Sequence, residues 1–120
     1  MNADVVLGIV GYRKFTDYKK FSKIVDEYVK EIGQPILIVS GGAKGVDTMA
    51  EEYAKKHNIL TQIFYPDWDK YKKGAGLMRN TDIIKASTHV LAFPSKKSVG
   101  TIDSINKAKI LQRNLKIVDV

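Results

Sequence analysis

Five short apolar segments alternate along this chain with longer segments that mix apolar and charged residues. The short segments are rich in valine, isoleucine and leucine without strict polar alternation, which is typical of strands buried on both faces of a sheet. They predict five β-strands, over Val5–Val10, Ile36–Ser40, Leu60–Tyr65, His89–Phe93 and Leu115–Val118.

The longer segments have helical periodicity. Their apolar side chains recur three and four positions apart, as on the buried face of an amphipathic helix. In the first of them, Thr16 is the expected N-cap and Gly33 marks the end. In the third and fourth, the expected buried faces include Leu77 and Ile102. The predicted helices are Asp17–Ile32, Val46–His57, Gly76–Ala86 and Thr101–Arg113.

Strands that alternate with helices predict βαβ units with right-handed crossovers. We therefore expect one α/β domain over residues 1–120, a three-layer Rossmann-like fold whose doubly wound parallel sheet has about five strands and four helices. The connection 66–75 is long, polar and aromatic, which favours a lid. Ligands of such sheets bind at the carboxyl ends of the strands. Function is therefore expected in segments 11–15, 40–45, 66–80 and 94–101.

Composition narrows the classes of function. The 120 residues are 44% hydrophobic and 28% charged, as in ordinary globular domains, and the net charge of +7 favours anionic partners such as nucleotides or nucleic acid. The absence of cysteine excludes disulfides and thiolate chemistry, and His57 and His89 have no metal-binding spacing, so no metal site is predicted. No apolar run approaches the ~20 residues that span a bilayer, so a cytoplasmic protein without a membrane partner is expected.

A glycine-rich loop stands between the second strand and the second helix. Glycines let the backbone approach a phosphate, and the free N–H groups of a helix N-terminus attract it, although the same glycines also suit a tight turn. The Asp47 carboxylate would repel a phosphate unless it faces a hydroxyl of the sugar, which makes Asp47 a candidate for sugar binding. Alternatively, Asp47 only stabilises the helix through its dipole, as an acidic residue in the first turn. Neither G-x-x-x-x-G-K-[ST] nor G-x-G-x-x-G is present, so a Walker-type NTPase is excluded. The loop reads Ser40-Gly41-Gly42-Ala43-Lys44-Gly45-Val46-Asp47.

Five motifs follow or adjoin the predicted strands in one order. They are Gly8–Phe15, Ser40–Asp47, Pro66–Trp68, Ala75–Asn80 and Phe93–Thr101. Together, over about residues 5 to 110, the chain resembles the SLOG superfamily of Rossmann-like domains, specifically its small YspA-like branch. More distant relatives are the DNA-processing protein DprA/Smf and the LOG phosphoribohydrolases. The resemblance implies a nucleotide-type ligand, no certain cofactor, and self-association into a homo-oligomer.

The resemblance also implies roles for individual residues. Gly41, Gly42 and Gly45 would face the phosphate. Arg79 would reach a phosphate or the sugar. Asn80 would orient Arg79 or form a hydrogen bond with the ligand, and Trp68 with Tyr71 would stack on a base. The expected ligand-binding residues are Gly11, Tyr12, Arg13, Ser40, Gly41, Gly42, Ala43, Lys44, Gly45, Asp47, Trp68, Arg79, Asn80, Pro94, Gly100 and Thr101.

One segment departs from the LOG pattern. LOG phosphoribohydrolases carry Pro-Gly-Gly-x-Gly-Thr-x-x-Glu, whose glutamate supports cleavage of the N-glycosidic bond. Here the glycine pair is lost and Ser104 stands at the glutamate position, with Asp103 one residue earlier, which on a helix is about 100° away. Three functions stay open: a nucleotide-binding or sensing module without turnover, an enzyme acting on a nucleotide N-glycosidic bond with Asp103, Asp47 or Arg79 as catalytic candidates, and a DprA-like binder of single-stranded nucleic acid.

Overall fold

The polypeptide forms an open parallel sheet. The computed structural model describes residues 4–95 and 98–120. Each strand is parallel to its neighbours, in the order β3-β2-β1-β4-β5. The predicted doubly wound α/β sheet of five strands is confirmed. The strands are β1 (Val6–Gly11), β2 (Leu37–Ser40), β3 (Leu60–Ile63), β4 (His89–Phe93) and β5 (Asn114–Ile117).

Four long helices connect the strands, as predicted, and the connection expected to be a lid has structure of its own. A short helix and a 3₁₀ turn over Lys72–Gly74 fill most of that connection. Within residues 4–95 and 98–120, no helix is long and apolar enough to cross a membrane. The helices are α1 (Tyr18–Ile32), α2 (Val46–Lys56), α3 (Trp68–Tyr71), α4 (Ala75–Ala86) and α5 (Val99–Ile110).

Helices cover both faces of the sheet, which gives three layers. Because successive side chains of a strand point to opposite faces, β1 contributes to two separate cores. Leu7 and Ile9 pack against α1 and α2 on one face, whereas Val10 packs against α4 and α5 on the other. Both cores are closed by fully buried side chains such as Phe21 on the first face and Ile84 on the second.

The ends of the first helix and the edges of the sheet correct two predictions and confirm a third. Asp17, not Thr16, is the N-cap of α1, because its carboxylate accepts a first-turn N–H at 3.1 Å. The predicted stop at Gly33 is confirmed, with φ of 99° and its N–H bonded to a carbonyl of the last turn. The two edge strands are not buried on both faces: Leu60 in β3 is 75% exposed.

Leu77 and Ile102 are 45% and 44% exposed, so the prediction that both are buried is wrong. The second half of α4 packs on the sheet through Ile84, which leaves Leu77 in the first turn beside the cleft above the strands. In α5 the buried positions include Thr101 and Ile105, four residues apart, and Ile102 is rotated about 100° from Thr101.

The strand order reverses between β1 and β4. The chain leaves β1 toward β2 on one side and leaves β4 toward β5 on the other. Gly11 pairs with Phe93 at the carboxyl ends of β1 and β4. The connections that follow these two strands run in opposite directions, so a crevice forms between them above the sheet.

Candidate functional site

A cavity of about 610 Å³ lies at this point of reversal, and we call it the main cavity. Its apolar walls come from the end of β1, from α4 and from the start of α5. Polar and basic side chains of the loops complete it. It is lined by Val10, Gly11, Tyr12, Arg13, Lys14, Ala43, Asp47, Arg79, Asn80, Ile83, Ser95, Ser98, Val99, Gly100, Thr101 and Ser104.

A second cavity of about 390 Å³, the side cavity, adjoins the main cavity toward α3. Of the residues that the structure describes, five line both and form the shared wall: Arg13, Ala43, Arg79, Asn80 and Gly100. The other residues of the side cavity are Gly41, Gly42, Tyr65, Pro66, Trp68, Lys73, Gly76 and Leu77.

Arg79 and Asn80, in the first half of α4, tie three segments of the site together. The Arg79 guanidinium donates from Nη1 to the Gly41 carbonyl at 2.6 Å and from Nε to the Asn80 side-chain oxygen at 3.0 Å. Asn80 in turn donates from Nδ2 to the Gly100 carbonyl at 3.2 Å. This chain of bonds fixes the guanidinium plane between the loop after β2 and the first turn of α5.

Asp47 occupies part of the anion cradle that the loop sequence predicted. Its Oδ2 accepts the Ala43 N–H at 3.1 Å, and the residue is only 6% exposed. Burial raises the pKa of Asp47, while the Ala43 N–H and the nearby Arg79 oppose that rise. Burial also lowers the pKa of Arg79, and Asp47 opposes that change. Each charge thus lacks part of the solvation that water would give it.

The glycines of the loop are explained by close packing. A β-carbon on Gly41 would lie 2.7 Å from Arg79 Nη1 and 3.0 Å from Asp47 Oδ2. Gly45 has φ of 74°, and a β-carbon there would collide with the backbone of Arg13. The glycines therefore bring the loops after β1 and β2, and the Arg79 side chain, into contact.

Most of the predicted binding residues line the two cavities, but several do not. Ser40 is fully buried at the end of β2, Lys44 is exposed, and Gly45 packs on the neighbouring loop. Pro94 is not among the lining residues of either cavity, and neither is Asp103.

Asp103 has local partners instead. Its carboxylate forms an ion pair of 2.8 Å with Lys107, one turn further along α5, and accepts a 3.3 Å hydrogen bond from Asn80. Ser104, at the position of the LOG glutamate, does line the main cavity, and its hydroxyl donates to the Gly100 carbonyl at 3.2 Å.

Several lining residues were not among the sequence predictions. Helix α5 begins at Val99 rather than Thr101, which brings Ser98 and Val99 to the main cavity. Ser98 is a favoured N-cap residue type, and this signal places the helix start correctly. Strand β3 ends at Ile63, earlier than predicted, so Tyr65 lies at the side cavity and is 70% exposed.

We expect Asp47→Asn to remove a pH dependence of stability. Since burial raises the pKa of Asp47, the native state holds a proton more tightly than the unfolded state does, and the free energy of unfolding falls as pH rises from the ordinary value of 3.8 through the raised value. Asparagine keeps an oxygen for the Ala43 N–H but has no charge to desolvate.

Urea unfolding of both proteins at several pH values between 4 and 7 measures this effect. The free energy of unfolding of the variant, minus that of the native protein, should increase as pH rises. A difference that stays constant across this range would contradict the expectation.

The chain is similar to known proteins in sequence and in fold. A model of the YspA, cpYpsA-related SLOG family matches residues 5–71. The Gene 61 protein of Mycobacterium phage D29 is 34% identical over 80 residues, which are 62% of this chain and 64% of that protein. The chain therefore spans less than two thirds of this relative.

Two solved structures share the fold. DNA processing protein A (DprA) from Streptococcus pneumoniae has a TM-score of 0.74 at 19% identity, over 95% of this chain and 50% of that one. DprA from Helicobacter pylori, described for its single-stranded DNA binding mode, has a TM-score of 0.71 at 25% identity, over 94% of this chain and 64% of that one. Since the family model covers more than half of the chain, including β1, the glycine-rich loop and the segment up to α3, this chain belongs to the YspA, cpYpsA-related SLOG family.

Proposed function

We propose that this chain binds a nucleotide or nucleotide derivative in the main cavity and does not cleave it. The observation that carries the proposal is the convergence of Arg13, Lys14 and Arg79 on one cavity at the carboxyl ends of β1 and β4. Parallel sheets bind ligands at such a reversal of strand order, and guanidinium groups suit phosphate oxygens because they donate in pairs.

The phosphate belongs at α5 rather than at α2. The N-terminus of α2 already holds an anion, since Asp47 stands in its first turn and accepts the Ala43 N–H. Helix α5 has no acidic residue in its first turn, and its residues Gly100 and Thr101 line the main cavity. A helix N-terminus stabilises an anion there, whereas at α2 the Asp47 carboxylate is placed to accept a hydroxyl of the sugar.

The remaining part of the main cavity suits a flat apolar group. Val10 and Ile83 come from the core beneath the cavity, and Val99 is 75% exposed at its edge. Specific pockets combine apolar walls with a few polar groups that fix orientation. A nucleobase between these aliphatic side chains, with its phosphate at α5, satisfies both kinds of surface.

Binding without turnover is supported by the position of the carboxylates. Glycoside cleavage needs a carboxylate near the anomeric carbon. Among the described residues that line the main cavity, Asp47 is the one carboxylate, and it comes from the first turn of α2, whereas Ser104 stands at the position of the LOG glutamate on α5. Asp103 is ion-paired with Lys107 outside the lining.

Single-stranded nucleic acid is the second candidate ligand. Trp68 is 57% exposed and Tyr65 is 70% exposed at the side cavity, and exposed aromatic rings beside basic groups bind bases of single strands by stacking. The DprA structure at 25% identity, whose protein binds single-stranded DNA, supports the same candidate.

A thermal-shift titration with AMP, ADP, ATP, ADP-ribose and cyclic AMP tests the proposal. A ligand that binds the native state raises the unfolding midpoint by mass action, by about 2.7 kcal/mol of stability at 100 times its Kd. The matched variants are Gly100→Leu and Gly74→Leu. A β-carbon on Gly100 has its nearest neighbour 3.8 Å away in the shared wall, and one on Gly74 meets nothing within 4 Å.

Gly100→Leu should fold normally and lose the shift, because leucine suits a helix and its side chain fills ligand space. Gly74→Leu should keep the shift, since Gly74 lines neither cavity. An equal shift in both variants, or no shift with any of the five compounds, would refute the site. Free base released during incubation, detected by chromatography, would refute binding without turnover.

A further inference from the structure

The two cavities adjoin at the shared wall, which contains three charged or polar side chains. Arg13, Arg79 and Asn80 line both cavities, so a ligand atom at the shared wall reaches these side chains from either side. The volumes of about 610 and 390 Å³ each fall within the roughly 300–1,000 Å³ of small-molecule sites. Each cavity alone therefore has room for one nucleoside.

We infer that the ligand has two nucleobases, one in each cavity, joined by a phosphate linkage that lies against Arg13 and Arg79 at the shared wall. This inference rests on the proposed function and names the class of its ligand. The shared chemistry is that of two linked nucleotides, whether they form a free dinucleotide or two successive positions of a single strand.

The shared wall fits a phosphate linkage. The guanidinium of Arg79 uses one Nη1 hydrogen for the Gly41 carbonyl and its Nε hydrogen for Asn80, out of five N–H groups. Within residues 4–95 and 98–120, the other three have no protein acceptor, and the two bonds hold the plane of the guanidinium fixed. Arg13 is exposed on the opposite loop. Two guanidinium groups facing one linkage give the paired hydrogen bonds and charge that phosphate favours.

The side cavity has the properties of a base-stacking site. Trp68 and Tyr65 are among the most exposed aromatic side chains of the described residues, and Lys73 lines the cavity with them. Tyr65 packs directly over the loop, since a β-carbon on Gly42 would lie 2.6 Å from its ring. Every base has a π-face, so such rings stack on bases without requiring one sequence.

The two cavities differ in how they would hold a base. The main cavity is walled by aliphatic side chains such as Val10 and Ile83, whereas the side cavity offers exposed rings. Trp68 belongs to the side cavity alone. Its truncation therefore acts on one of the two bases and leaves the other site intact.

Isothermal titration of the native chain with AMP, with the dinucleotide ApA carrying a 5′-phosphate, and with single-stranded dA12 tests the inference. The dinucleotide should bind roughly 10-fold or more tightly than AMP, as expected for one added stacked base. Trp68→Ala should abolish most of the difference in affinity between the dinucleotide and AMP, and Trp68→Phe should restore most of it.

Tyr71→Ala is the matched control, since Tyr71 lies on the same short helix but lines neither cavity. It should leave both affinities unchanged. Equal affinities for AMP and the dinucleotide, or equal losses for both in Trp68→Ala, would refute the two-base ligand and leave the proposed function standing. No binding of any of the three would refute both. Tighter binding of dA12 than of the dinucleotide, with a steep salt dependence, would identify the single strand as the source.

Discussion

Arg79→Ala is expected to weaken binding of a nucleotide by roughly 10- to 100-fold, because a hydrogen bond to a charged group contributes about 1.5–3 kcal/mol. The guanidinium lines both cavities and is held by Gly41 and Asn80 before any ligand arrives. That ordering means little side-chain entropy is lost on binding. Arg79→Lys should recover only part of the affinity, since an ammonium group cannot make paired bonds in one plane.

Arg113→Ala is a matched control for this loss. Arg113 also donates to backbone carbonyls, those of Ile84 and Lys85 at the end of α4, and lines neither cavity. Both variants should lose some stability in urea unfolding, but only the Arg79 variant should lose affinity in titration calorimetry. Equal affinity losses in the two variants would mean that Arg79 acts through the stability of α4 and does not touch the ligand.

Gly45→Ala is expected to lower the free energy of unfolding by about 2–4 kcal/mol. Alanine must adopt a φ of 74° at this position, and its β-carbon would collide with the Arg13 backbone. The collision is with main chain on both sides, so no rotation of a side chain relieves it. In a chain of this length the midpoint should fall by roughly 10 °C.

Gly76→Ala gives the contrast for this measurement. Gly76 lies within α4, has no positive φ, and a β-carbon there has its nearest neighbour 4.0 Å away. Alanine is preferred over glycine in helices by about 1 kcal/mol, so this variant should be more stable than the native chain. If the Gly45→Ala variant unfolds at the same temperature as the native protein, the loops after β1 and β2 do not touch as described.

The fold could be predicted from the sequence because its signals are local. Apolar strands, amphipathic helices and a stop at Gly33 each follow from a few neighbouring residues, and the structure confirms them. The Arg79-Asn80 pair also lies at the carboxyl edge of the sheet, where the motif predicted it. The burial of single side chains within a correctly predicted helix was not predictable, as Leu77 shows. Periodicity identifies the apolar face of a helix but not which turns of that face lie over the sheet.

The interior of the site could not be predicted because it depends on contacts between distant loops. A glycine-rich loop looks the same in sequence whether its glycines face a phosphate or a neighbouring backbone. Only the fold brings Arg13 against Gly45 and Arg79 against Gly41. Likewise, the sequence shows an acidic residue at Asp47, but it does not show that the Asp47 carboxylate accepts a hydrogen bond from the Ala43 N–H.

The two open edges of the sheet differ in how they resist association with another sheet. An unpaired edge offers free backbone groups to any extended chain, and a lysine within the strand opposes that pairing. Strand β5 carries Lys116 at its centre, whereas β3 reads Leu-Thr-Gln-Ile with no charge and exposes Leu60. The edge at β3 is protected mainly by its length of four residues. Lengthening this strand, for example in an engineered fusion, would therefore favour edge-to-edge aggregation there before it did so at β5.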